Sequence, residues 1–128
     1  MDILMSIKKE FCDKIFAGRK MVELRKDRPL PLLPCRVFVY ESKGCGMVVG
    51  EFVCSAVERM DIESIWRLYS GMVCVSRAKF DKYYGGRDIG CVWHIRDARR
   101  YEAPVPLSVF RVFDPPQSWF YLSGATIN

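Results

Sequence analysis

The sequence predicts an α+β fold that is mostly β: a small barrel or strongly curved sheet with short helices at its periphery. Three observations predict it. The apolar runs are short, and several alternate at the strand period of two. The stretches with helical spacing or helix-capping residues are few and brief. The 128 residues, half of them apolar, suffice for one core and not for two. Short strands in this number bury their apolar faces by curling on one another.

Taken in order, Ile3 to Ile7 is predicted as a first strand. Lys8 to Ala17 is predicted as a helix, with Phe11, Cys12, Ile15 and Phe16 on one stripe and Gly18 just past its end. Met21 to Arg25 is the second strand. Asp27 to Pro34 holds three prolines and is expected as a fixed loop. Arg36 to Tyr40 is a strand, residues 42–46 a turn, and Met47 to Val57 a long strand in which Gly50 marks a bulge or a close backbone approach. Asp61 caps a helix over Ile62 to Tyr69, and Ser76 caps another over Arg77 to Tyr84, which Gly85-Gly86 stops. Cys91 to Ile95 alternates, with Cys91, Trp93 and Ile95 on one face. Pro104 and Pro106 open a loop, Pro115-Pro116 breaks the run after it, and Trp119 to Leu122 is a closing strand. One domain is expected over residues 1–122, with a loose tail at 123–128.

Composition narrows the function classes. Twenty basic and fifteen acidic residues give a net charge of +5, compatible with nucleic acid as a partner without requiring it. The six cysteines form no Cys-x-x-Cys pair, and His94 is the single histidine, so no metal site and no cofactor are expected. Several of these cysteines fall on apolar faces and read as small buried hydrophobes in a reducing compartment. The apolar run near the start is too short for a signal peptide, and no segment is long enough to span a bilayer. The expected location is the cytoplasm.

The chemistry concentrates in Gly18-Arg19-Lys20-Met21-Val22-Glu23-Leu24-Arg25. In a strand, Val22 and Leu24 share one face and Glu23 and Arg25 the other, about 7 Å apart. Lys20 leans over that pair from the mouth of the strand. A cation, a carboxylate and a planar guanidinium that converge can hold a phosphate, a ribose or a polar base edge. The same three residues on a solvated face would be a surface ion pair of little consequence. Spacing alone leaves both readings open.

Ser6-Ile7-Lys8, the short helix, Gly18-x-Lys20-x-x-Glu23-x-Arg25, Val39-Tyr40-x-Ser42, Val49-Gly50-Glu51, Phe80-x-x-Tyr83-x-x-Gly86 and Pro116-Gln117-Ser118 occur in the order found in ASCH domains. The chain resembles that family from about Ile3 to Leu122. The resemblance implies a PUA-like β-barrel with peripheral helices, related to PUA, YTH and EVE domains. It implies RNA or a nucleotide-like molecule as ligand, in a basic cleft centred on Lys20, Glu23 and Arg25.

The resemblance also implies an alternative, a metal-independent hydrolase acting on a nucleoside or RNA. One enzymatic branch of the family removes an acyl group from N4-acetylcytidine with a Lys-x-x-Thr pair and a later glutamate. This chain keeps the lysine as Lys20 but has Glu23 in place of the threonine, so that branch's nucleophile is missing. A ribonuclease branch is also known, for which Tyr40, Lys20 and Ser118 are candidates. If the chain is an enzyme, Lys20 and Glu23 are its expected proton-transfer pair.

Further candidates flank this centre. Lys8 opens the first helix, whose free N–H groups can help hold a phosphate. Tyr40 can stack on a base or plug the barrel, and Ser42 sits beside it at a strand end. Ser118 follows two prolines on a stiff turn. His94 is expected to be structural, the three tryptophans to be core, and Arg96, Arg99 and Arg100 to form a basic rim able to track a nucleic-acid backbone.

Overall fold

A computed structural model describes residues 2–29 and 33–122. The elements run β1 (Ile3–Lys8), α1 (Lys9–Phe16), β2 (Val22–Arg25), β3 (Cys35–Ser42), β4 (Val48–Asp61), α2 (Ile62–Val73), α3 (Arg77–Tyr84), β5 (Ile89–Val105), a 3-10 turn (Leu107–Phe110) and β6 (Trp119–Tyr121). The six strands make one sheet in the order β2-β5-β4-β3-β1-β6. Its pairs are antiparallel except β1 with β3, which run parallel. The sheet curls into a half-barrel with the helices at its periphery, the mostly-β architecture expected from the sequence. The centre of the expected Asp27–Pro34 loop and the tail at 123–128 lie outside the described residues.

Side-chain alternation sorts the core onto the two faces of the sheet. The concave face carries Ile3, Met5, Ile7, Val37, Val39, Phe52, Cys54 and Trp93, closed by Cys12 and Ile15 of α1. On the other face Val22, Leu24 and Val92 lie under α2 and α3, against Ile65, Val73, Phe80 and Tyr84. Further along that face Leu4, Phe38 and Val48 pack on Phe110 and Leu122.

Local chemistry sets the helix ends. Gly18, at φ +78, lets the chain turn sharply out of α1, with its N–H on the Ile15 carbonyl. The Asp61 carboxylate accepts from the Ser64 N–H at 3.0 Å, and the Ser76 hydroxyl from the Lys79 N–H at 3.2 Å. Helix α2 continues past the expected stop at Tyr69 to Val73. Ser70-Gly71 does not end it because Val73 extends the buried stripe of Ile65 and Tyr69.

The β4–β5 ribbon is much longer than its apolar pattern indicates. Strand β5 covers 17 residues, and its pairing with β4 shifts register at three places. Those shifts break the period of two, and Asp97 adopts a positive φ of 51° between them. Gly50 sits at one shift, where a Cβ would meet both the Arg99 carbonyl and the Phe16 ring at 2.5 Å. Both readings of Gly50 therefore hold: a register shift and a close approach.

Candidate functional site

The signature stretch folds into a buried charge cluster. Register places Glu23 opposite Trp93 and Arg25 opposite Cys91, so both side chains enter the concave face. Lys20 arrives from the turn after α1, held by main-chain bonds of Arg19 and Lys20 to the Lys14 carbonyl. The side chains of Lys20, Glu23 and Arg25 are 3%, 7% and 11% exposed, which rules out a solvated surface pair. Lys20 Nζ lies 3.4 Å from Glu23 Oε1, and Arg25 Nη1 lies 3.1 Å from the same oxygen.

Two cations and one carboxylate leave the cluster with a surplus positive charge. Carbonyl dipoles absorb part of it. Lys20 Nζ donates to the Val22 carbonyl at 2.6 Å, and Arg25 donates to the carbonyls of Leu24 at 2.9 Å and Ser6 at 2.8 Å. Lys20 also lies 5.7 Å from the centre of the Phe11 ring. Among the described residues, Glu23 Oε2 and Arg25 Nε are buried side-chain atoms without a hydrogen-bond partner. One is an acceptor and the other a donor. Leaving such groups unpaired costs roughly 1–3 kcal/mol each, more when charged.

Of the other candidates, Lys8, Tyr40 and Ser42 lie along the opposite face of β1 and β3. Tyr40 is the register partner of Ser6 and packs on the Leu4–Phe38–Phe110 cluster. Ser42 pairs with Lys8, which is exposed and precedes α1 with no side-chain capping bond. Ser118 is exposed, and its carbonyl accepts from the Ser6 N–H at 2.9 Å. Ser6 is thus the meeting point: its carbonyl touches Arg25, its N–H touches Ser118, and its strand neighbour is Tyr40. The structure brings the side chains of Lys20, Glu23 and Arg25 together; Lys8, Tyr40 and Ser42 are spread along the β1–β3 pair, and Ser118 meets it through its main chain.

Several polar groups escaped the sequence reading. Glu41 is buried, 4% exposed, and accepts from the Cys45 N–H at 3.0 Å, holding the turn at 42–46. Its phase with Val37 and Val39 was the available signal. Glu58 accepts from the Tyr69 hydroxyl and lies 2.6 Å from His94 Nε2. Those two hydrogen bonds hold the Glu58 carboxyl below its ordinary range, and Glu58 pushes Tyr69 up to about 12. This gives His94 the structural partner expected of it. Tyr83 has its phenol pushed up by burial and drawn back by the neighbouring Arg25. Among the described residues no three His, Cys, Asp or Glu side chains converge as a metal-ligand set, and no helix is long and apolar enough to cross a membrane.

No protein-family profile matches the chain. Over 125 residues it is 27% identical to an ASCH domain-containing ribonuclease of Zymomonas mobilis, a match that spans 94% of this chain and 84% of that protein. An 87-residue stretch, 68% of this chain, is 37% identical to large ribosomal subunit protein uL22 of Ureaplasma parvum but spans only 28% of it. The crystal structure of ASCH from Zymomonas mobilis superposes with a TM-score of 0.86 at 26% identity, covering 95% of this chain and 87% of that one. The N-terminal domain of Staphylothermus marinus McrB reaches 0.50 at 13% identity over 86% of this chain and 78% of that one, a likeness of fold alone.

Proposed function

This chain belongs to the ASCH domain family, and on that footing we propose that it binds RNA or a nucleotide-like ligand through Lys20, Glu23 and Arg25. One observation carries the reading: Glu23 Oε2 and Arg25 Nε are an acceptor and a donor, both buried and both unpaired. A nucleobase edge offers the complementary pair, an exocyclic amine beside a ring nitrogen or carbonyl. Glu23 accepts from the amine, Arg25 donates to the acceptor, and the surplus positive charge favours an electron-rich edge. Lys20 holds Glu23 in place from the other side. Arg25 keeps the most exposure of the three, so the ligand reaches the cluster past it. We place the protein in the cytoplasm, on the cysteine usage of its sequence.

The test is fluorescence anisotropy of a labelled single-stranded RNA at low salt. Arg25→Ala and Glu23→Gln are each expected to weaken binding at least about tenfold, the scale of a hydrogen bond to a charged group. Unchanged affinity in variants that keep the wild-type circular dichroism spectrum rejects this site.

The name of the Zymomonas mobilis relative favours a second reading, a metal-independent hydrolase acting on RNA or a nucleoside. Glu23 Oε2 is then the group that takes a proton from water, with Lys20 beside it. Tyr40 and Ser118 supply hydroxyls on the other side of Ser6. Mass spectrometry of RNA and acylated nucleosides incubated with the protein in EDTA separates the readings. Products that vanish with Glu23→Gln or Tyr40→Phe favour the hydrolase, and binding without turnover favours the module.

A further inference from the structure

We propose that a small basic cavity beside β2 is a phosphate-binding site, and that it takes a phosphoryl group carried by the ligand of the charge cluster. The link to that ligand rests on the function proposed above; the phosphate site stands without it. The cavity has a volume of about 250 Å³. Lys26, Arg28, Arg59, Arg87 and Asp27 line it, with Cys91 among its apolar residues.

The charge balance is the first argument. Four cations face one carboxylate. The ion pair of Arg87 with Asp27 spans 3.9 Å, beyond hydrogen-bond reach. Lys26 lies over the Tyr83 ring at 5.2 Å, and among the described residues Arg28 and Arg59 have no ion pair. Another basic hollow, beside Phe38 and Tyr101, is different. There Arg36 is paired with Asp2 at 2.8 Å, Arg99 with Glu51 at 2.9 Å and Arg100 with Asp13 at 2.8 Å. Cations the protein neutralises itself gain little from an external anion. Cations it crowds together unpaired gain from one directly, and guanidinium groups match phosphate oxygens in fork geometry.

Size and lining point to the class of ligand. The cavity falls below the roughly 300–1,000 Å³ of pockets that enclose whole small molecules. No aromatic ring lines it, so it offers no surface on which a base would stack. It suits one phosphate group with water.

Register then joins the cavity to the charge cluster. Arg25, Cys91 and Arg59 are successive partners across β2, β5 and β4. Arg25 ends that row in the cluster, while Cys91 and Arg59 line the cavity, which Lys26 enters as the next residue in the chain. A ligand whose polar edge meets Glu23 and Arg25 therefore has its phosphate within reach of Arg59 and Lys26. The favoured ligand is a nucleotide or an RNA strand, not a free nucleoside.

Two measurements test this on the full chain. Inorganic pyrophosphate is titrated into isotopically labelled protein, with amide shifts followed by NMR. Saturable shifts at Lys26, Arg59 and Ile89, and at least tenfold weaker binding in Arg59→Gln/Arg87→Gln, are expected. Both arginines are exposed, so the double variant keeps the wild-type melting temperature. Shifts that do not saturate, or that persist unchanged in the double variant, overturn the phosphate site. Separately, the slope of RNA affinity against salt is expected to fall by roughly 0.7 for each phosphate that the double variant no longer neutralises. RNA bound with an unchanged slope in the double variant overturns the link to the ligand. Pyrophosphate binding without any RNA binding rejects the RNA reading and leaves the phosphate site standing.

Discussion

Arg25 donates from Nη2 to the carbonyl of Ser6 at 2.8 Å, tying β2 to β1 although three strands lie between them in the sheet. The bond spans the hollow of the half-barrel. The cluster proposed to hold a ligand therefore also helps hold the curl of the sheet.

Glu23→Gln removes the only carboxylate between Lys20 and Arg25 and leaves two buried cations without it. A loss of at least about 2 kcal/mol is expected in urea unfolding. Replacing the set by Lys20→Met, Glu23→Leu and Arg25→Met together recovers most of that loss, because apolar residues of similar volume carry no desolvation cost. On the proposed function, the triple variant is expected to bind no RNA in the anisotropy assay. Equal stability of wild type and Glu23→Gln would contradict the role of Glu23 in offsetting the two buried cations.

Gly50→Ala places a methyl group against the Arg99 carbonyl and the Phe16 ring. Neither strand nor helix can withdraw without disturbing the concave core. Overpacking of this kind costs about 1–3 kcal/mol. The denaturation midpoint is expected to fall, with the slope against denaturant unchanged.

The cysteines sort by reactivity. Cys45 is exposed and reacts first with a thiol reagent. Cys12 is buried, and burial, helped by the charges of Glu41 and Glu23, pushes its thiol up to about 12. At pH 8 roughly one molecule in ten thousand then carries the Cys12 thiolate, before access is counted. Cys12 is expected to label only on unfolding, as read by mass spectrometry after timed alkylation; labelling at the rate of Cys45 contradicts this placement.

Glu58 ties α2 to the β4–β5 ribbon through Tyr69 and His94. Its folded pKa lies below the ordinary 4.5 because of those two hydrogen bonds. Its contribution is therefore present above about pH 4.5 and lost as pH falls through the lower folded value. The Glu58 side chain is 42% exposed, so solvent screening keeps the effect to about 1 kcal/mol or less. The stability gap between wild type and Glu58→Gln is expected to be constant from pH 7 to 5 and to narrow below that. A gap that widens with acid contradicts the assignment.

Much of this was legible in the sequence because local rules governed it. The capping roles of Asp61 and Ser76, the stop at Gly18 and the alternation of Val22 with Leu24 are decided within a few residues. The face shared by Glu23 and Arg25 followed from the same alternation. Their burial did not, because it depends on α1 and β1 folding over the concave face. The reach of β5 to Val105 was hidden for a related reason: residues 96–102 are mostly polar and become a strand by pairing with β4. The meeting of Glu58, Tyr69 and His94 left no trace in spacing, since α2 and the ribbon bring them together. The cavity at Arg59 and Arg87 depends likewise on strand register and on the chain's return from α3.

The shortest strand has a consequence for solubility. β6 is three residues long, yet it covers the edge of β1 that β3 leaves free. Without Trp119–Tyr121, the N–H and C=O groups along Ile3, Leu4 and Met5 would line an open edge of apolar residues, the kind that recruits a strand from another molecule. Loss of that strand would thus turn the β1 edge into a template for aggregation, while leaving Lys20, Glu23 and Arg25 unchanged in sequence.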